Sequence, residues 1–177
     1  MTLFLYRMWG AALLDRGAYE GIEHDARATG QAAAVVLLAS LAAGFGAGGL
    51  YGTRPATVLS FTAIAFVTWV AWAVLMFQLG TRTLPGPDTE VTLGELLRTI
   101  GFAASPGLLQ VFAALPPLTV PVFVITIVWM IAAMVVAVRQ ALDYRSLGRA
   151  VAVCGLAAAF SAALAVVIGV LFGPAAS

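Results

Sequence analysis

The sequence predicts an all-α integral membrane bundle of five helices, with the N-terminus cytoplasmic and the C-terminus outside. Three observations predict it. The 177 residues are 62% hydrophobic and only 10% charged, whereas soluble domains average about 45–50% apolar and about 25% charged. Charged residues are absent from four long stretches, 28–53, 55–81, 99–138 and 150–177. The nine basic residues, all Arg, fall eight to one on alternate sides of the resulting spans. So few charges cannot cover a soluble fold with this much apolar surface. The composition therefore excludes an ordinary cytosolic enzyme, a disordered chain and a nucleic-acid binder. A formal net charge of +1 offers no footprint for a polyanion. One cysteine excludes a disulfide framework and a structural zinc site.

Residues 1–30 form the N-terminal segment. Leu3, Phe4, Leu5, Tyr6, Met8 and Trp9 read as an interfacial anchor, because Arg7 interrupts them and no signal-peptide cleavage pattern follows. Tyr19, Ile22 and Ala26 recur at helical spacing, with Glu20, Glu23 and Arg27 on other faces, which predicts a short helix on the cytoplasmic surface.

A bilayer core requires about 20 apolar residues at about 1.5 Å each. One crossing each is placed at 31–50, 58–79 and 151–172. The 40-residue stretch 99–138 is too long for one crossing and too short for three. Tandem Pro116-Pro117 divides it into a hairpin, 99–115 and 118–138. Thr92-x-x-Glu95 is a capping box that starts the third helix before the membrane. The turn Pro85-Gly86-Pro87-Asp88 precedes it. Ser105-Pro106-Gly107 predicts a break in the third crossing, facing the bundle interior. A re-entrant loop there would put Arg139, Arg145 and Arg149 outside, against the positive-inside rule.

Ionisable groups at membrane depth are costly and mark function. The five crossings contain no Asp, Glu, His, Lys or Arg. Catalytic, cofactor and metal residues are accordingly none. His24 reads as a solvated imidazole, Cys154 as a packing residue, and Ser105 has no base within reach on sequence grounds. Gln110, Thr126 and Gln78 read as interhelical hydrogen-bonding groups, each worth about 0.6–2 kcal/mol. Gly44-x-x-x-Gly48 and Gly48-x-x-x-Gly52 permit close helix approach. Trp69, Trp72 and Trp129 fall near mid-span instead of in the headgroup belt. They serve either helix packing or an aromatic cavity for a lipid-like ligand, each indole N–H needing an acceptor.

The charged face is uneven. Residues 1–30 and 82–98 are each net −1, and 139–149 is net +2. Arg139 and Asp143, four apart, can pair on a helix. Arg145 and Arg149 either dock the acidic segment before the first crossing or serve as solvated topology anchors.

Three stretches resemble the Yip-domain family, whose eukaryotic members interact with Ypt/Rab GTPases, and look most like its short bacterial branch. One is ALLDRGAYEGIEHDARATGQAAAVVLLA. The second is ELLRTIGFAASPGLLQVF, where Gly101, Phe102 and Pro106 match a glycine–aromatic–small–proline element. The third is IVWMIAAMVVAVRQALDYRSLGRA, where Trp129, Arg139, Ala141, Leu142, Asp143 and Arg149-Ala150 match the fourth span's end and the following loop. The resemblance runs from about Ala11 to Leu156 and implies a five-span bundle with a cytoplasmic N-terminus. It carries over no Rab-related role, since a bacterial cell supplies no Rab. The all-Arg, Ala- and Gly-rich composition points to a bacterial cytoplasmic membrane. The expected role is a non-enzymatic membrane interaction or organising protein. Its expected partners are the lipid bilayer, a protein at the cytoplasmic face and a second copy of the chain, with no nucleic acid. The alternative is a small transporter, channel or lipid-handling protein acting as an oligomer.

Overall fold

Stretches that cannot satisfy their backbone from lipid must do so internally, and helices do this. The computed structural model describes residues 2–51, 55–87 and 89–172. Among the described residues seven α-helices run in order: α1 (Thr2–Ala12), α2 (Arg16–Glu23), α3 (Ala28–Tyr51), α4 (Pro55–Gln78), α5 (Leu93–Ala103), α6 (Thr119–Ala141) and α7 (Leu147–Phe172). A π turn, Leu79–Thr83, extends α4, and a 3₁₀ helix, Ser105–Ala114, extends α5. Five helical stretches are long and apolar enough to cross a membrane: Ala28–Ala47, Val58–Thr83, Leu93–Ala114, Pro116–Ala141 and Leu147–Leu164. No strand occurs among the described residues.

The third stretch is the core element, 67% buried against 17–44% for the other four. It packs on α3 most extensively and is flanked by α4, α6 and α1. The Thr92–Glu95 capping box opens it: Thr92 N–H donates to Glu95 Oε2 at 2.6 Å and Glu95 N–H to Thr92 Oγ1 at 3.3 Å. The α-helical part ends at Ala103, just ahead of the expected break at Pro106. Pro106 cannot donate, so the helix tightens around it. Ala104 N–H bonds Gly101 O, Gly107 N–H bonds Ala104 O, and Ser105 Oγ donates to Phe102 O at 2.6 Å. Ten residues of 3₁₀ helix follow, where runs beyond about four are uncommon. Ser105, Pro106, Gly107, Gln110 and Ala113 are all buried there, so the interior of the bundle encloses this poorer backbone geometry.

The other helix ends have local causes. Helices α1 and α6 each stop in a left-handed residue, Leu14 (φ 63°) and Asp143 (φ 51°). In each case two reversed bonds close the end, Asp15 N–H to Gly10 O with Leu14 N–H to Ala11 O, and Tyr144 N–H to Arg139 O with Asp143 N–H to Gln140 O. This is the Schellman pattern. Pro116 and Pro117 sit in a short 3₁₀ turn, Pro116–Leu118, between the third and fourth stretches.

Candidate functional site

The Arg-rich end of the bundle carries the densest set of polar contacts. Asp15 caps the start of α2 by accepting from Gly17 N–H at 2.9 Å. Ala18, Tyr19, Ile22 and Glu23 form its buried face, packed on α5 and α6. Two buried arginines grip its far end. Arg98, from α5, donates Nε to the Glu23 carbonyl at 3.2 Å, and its Nη2 donates to the same oxygen. Arg7, from α1, donates to Asp25 Oδ2 at 2.7 Å, Gln31 Oε1 at 3.1 Å and the Gly21 carbonyl at 3.3 Å. A helix C-terminus leaves carbonyls unpaired and partly negative, so a guanidinium there satisfies both charge and hydrogen bonding. Arg7 also holds the Asp25 carboxyl below its usual range.

The end of α1 is closed in the same way. Tyr19 Oη lies within donating distance of Ala11 O (3.2 Å) and Ala133 O (3.3 Å), and Trp129 Nε1 donates to Ala12 O at 2.6 Å. Burial raises the Tyr19 phenol far above its ordinary value. Phe4 of α1 meets Phe102 of α5 with ring centroids 6.2 Å apart. Trp129 and Phe102 thus hold the N-terminal segment against the bundle.

Glu23 is the exception within this set. Its side chain is buried and its Oε2 has no hydrogen-bond partner. Burial first, and the neighbouring Asp143 charge second, raise its pKa from 4.5 to about 7. A carboxyl raised in the folded state destabilises it once ionised. The penalty is absent below about 4.5, grows as pH rises toward 7 and is complete above that. The thermal midpoint should therefore fall between pH 4.5 and 7. Glu23→Gln should flatten that slope and raise the midpoint at pH 8. A slope that survives in the variant assigns it to another group.

The remaining sequence candidates are placed as follows. Gly101 lies where a Cβ would be 2.8 Å from Ala32 Cβ and 3.2 Å from the Trp69 ring. Gln110 donates Nε2 to Thr126 Oγ1 at 3.1 Å. Arg139 donates Nε to Tyr144 O at 3.2 Å and Nη2 to Arg145 O at 3.0 Å, bracing the turn that Asp143 makes. Arg149 reaches the Pro85 carbonyl at 3.3 Å, so its bond is to the α4–α5 loop. Arg145 lines a crevice of about 190 Å³ with Arg16, Arg139 and Asp143. Gln78 is exposed, and so is His24, whose Nδ1 lies 2.9 Å from Glu20 O. Burial encloses Cys154.

The sequence pattern gives Arg7 only as an interruption of the anchor, sets Glu23 on a face apart from Tyr19 and Ile22, with which the structure buries it, and does not mark Arg98. The signal for Arg98 is its place six residues after the capping Thr92, inside a helix whose neighbours are apolar. Nothing in the spacing marks Arg7. Among the described residues no group of three or more His, Cys, Asp or Glu is placed to hold a metal. A family model described as the Yip1 domain matches residues 15–170. No curated protein and no solved structure matches the chain.

Proposed function

This chain belongs to the Yip1 domain family, and from that premise we propose that it is a non-enzymatic membrane interaction or organising protein acting through its Arg-rich end. We place that end in the cytoplasm on the arginine asymmetry, with the C-terminus outside, and the chain in a bacterial membrane on its all-Arg, Ala- and Gly-rich composition. The observation that carries the reading is the N-terminal segment itself. It is a folded piece clamped by Arg7 and Arg98, not a tether. Its docking leaves two outer surfaces. On α1, Leu5, Tyr6, Trp9 and Leu13 are all exposed and share one helical face. Such an aromatic and aliphatic stripe suits the headgroup boundary of the bilayer. On α2, Arg16 and Glu20 are exposed beside the crevice of Arg16, Arg139 and Arg145. This polar surface is the one offered to a protein partner.

Two measurements test the reading. In a Cys154→Ser background, single cysteines at Glu20 and Ser146 should resist an impermeant maleimide in intact cells. Cysteines at Thr53 and Ser177 should react; these positions, like Asp88, lie outside the described residues. Labelling at Ser146 but not at Ser177 would mean that the span count after Pro106 is wrong. Photo-crosslinkers at Glu20 and Ser146 should then capture the same protein from living cells, and one at Phe123 should not. Solute flux through reconstituted liposomes without such face-specific capture would favour the transporter alternative instead.

A further inference from the structure

Two apolar crevices, of about 350 and 430 Å³, lie side by side in the bundle. Trp72, Gln110, Met130 and Met134 line both. Neither is sealed. Ile64 borders one and Ile127, Ile131 and Val151 the other. All four are exposed, so in a membrane the rims face acyl chains. Two polar side chains, Gln110 and Trp72, line both crevices. Gln110 is 6% exposed. Its amide N–H₂ is donated to Thr126 Oγ1, whose own proton goes to Val122 O at 2.8 Å. With the amide in this orientation Thr126 Oγ1 accepts from Gln110, and among the described residues no donor reaches Gln110 Oε1. The Trp69 indole is occupied by Leu97 O at 3.2 Å and the Trp129 indole by Ala12 O. The Trp72 indole N–H has no acceptor among the described residues.

An unpaired donor and an unpaired acceptor at membrane depth are each costly. A hydroxyl group satisfies both, because it accepts and donates at once. We propose that the paired crevices seat a hydroxyl-bearing lipid chain, its oxygen accepting from Trp72 and its proton going to Gln110. The chain lies along Met130, Met134 and Cys154. Flexible, polarizable methionines suit a surface that must fit a mobile tail. A lone water would find the same two partners but leave the apolar walls empty. This inference does not depend on the cytoplasmic partner proposed above, and its test does not involve one.

The probes are a diazirine-bearing long-chain alcohol and its methyl ether, added to the full chain in phosphatidylcholine nanodiscs. The ether still accepts from Trp72 but cannot donate to Gln110. The alcohol should label the crevice walls about fivefold more than the ether, the worth of one neutral hydrogen bond. Gln110→Leu should bring the alcohol down to the level of the ether. Trp72→Phe should lower both probes, and it leaves the Gln110–Thr126 bond intact should the first variant fold poorly. Equal labelling by the two probes overturns the proposal, and so does labelling that maps away from the crevices. Alcohol labelling that both variants leave unchanged overturns it as well.

Discussion

Gly46→Ala should destabilise the protein by about 2–3 kcal/mol, the upper range for forcing extra volume into a packed core. The added Cβ would stand 2.2 Å from the carbonyl oxygen of Gln110 and 3.0 Å from Ala113 Cβ. The first of these is backbone, so no rotamer change relieves it. Helix α3 and the 3₁₀ segment would have to separate along their whole contact. Gly46 is the last position of a seam. Ala32, Ala39 and Gly46 are seven apart on α3, and each lies under the third span. Ala32 Cβ would meet a Cβ at Gly101 at 2.8 Å, and Ala39 Cβ one at Gly107 at 3.2 Å. Seven residues are close to two helical turns, so the three small positions share a face. Small residues let backbones approach closely in lipid, where van der Waals packing drives association. Chemical or thermal denaturation in detergent measures the effect. Gly30→Ala, in the same helix with nothing within 4 Å of the added methyl, is the control. It should be neutral or stabilising, since Ala is the better helix former by up to about 1 kcal/mol. Equal effects at the two glycines would remove the seam from the account.

The helices themselves were legible because lipid makes one demand that composition answers directly. Charge-free length, the tandem prolines and the capping box each have a single physical consequence in a membrane. Gln110 and Thr126 read as interhelical hydrogen-bonding groups for the same reason and do pair with one another, whereas Gln78, read likewise, is exposed. The seam was not legible. Gly44-x-x-x-Gly48 stood out as a pattern, and Gly44 does approach Val58, with a Cβ there 3.3 Å from its Cα. Among the described glycines the tightest contact is at Gly46, however, and the other positions of its face, Ala32 and Ala39, are alanines, too common in this chain to mark a face. The grip on α2 was hidden differently. The charge pattern offers Arg145 and Arg149 either as its anchors or as solvated topology anchors, because a sequence shows only side-chain charge against side-chain charge. Arg98 takes a carbonyl, which every residue has and no sequence pattern advertises.

That distinction predicts how α2 comes loose. Arg98→Met keeps most of the stem but removes both charge-assisted bonds to the Glu23 carbonyl; they share one oxygen and count as one bond of this kind, which contributes about 1.5–3 kcal/mol. Losing them leaves the Glu23 carbonyl unpaired against the bundle, with Arg7 still holding the Gly21 carbonyl and Asp25. Docking of the N-terminal segment should weaken by about 2–3 kcal/mol. Amide exchange across Arg16–His24 should speed by roughly thirtyfold or more, while α3 and α6 exchange as before. Arg98→Lys should recover only part, because an ammonium cannot reproduce the planar fork. Glu23→Gln should leave the grip intact, since it changes the side chain and not the carbonyl. Salt separates this arrangement from an ionic dock. Exposed ion pairs are screened with a Debye length of about 8 Å at physiological ionic strength, so a dock made by surface arginines would loosen as salt rises. A dock made by a buried guanidinium on a carbonyl should show nearly the same exchange in low and high salt. Salt-dependent exchange across α2 in the unmutated protein would return the role to ion pairs, the Arg7–Asp25 pair or those of Arg145 and Arg149.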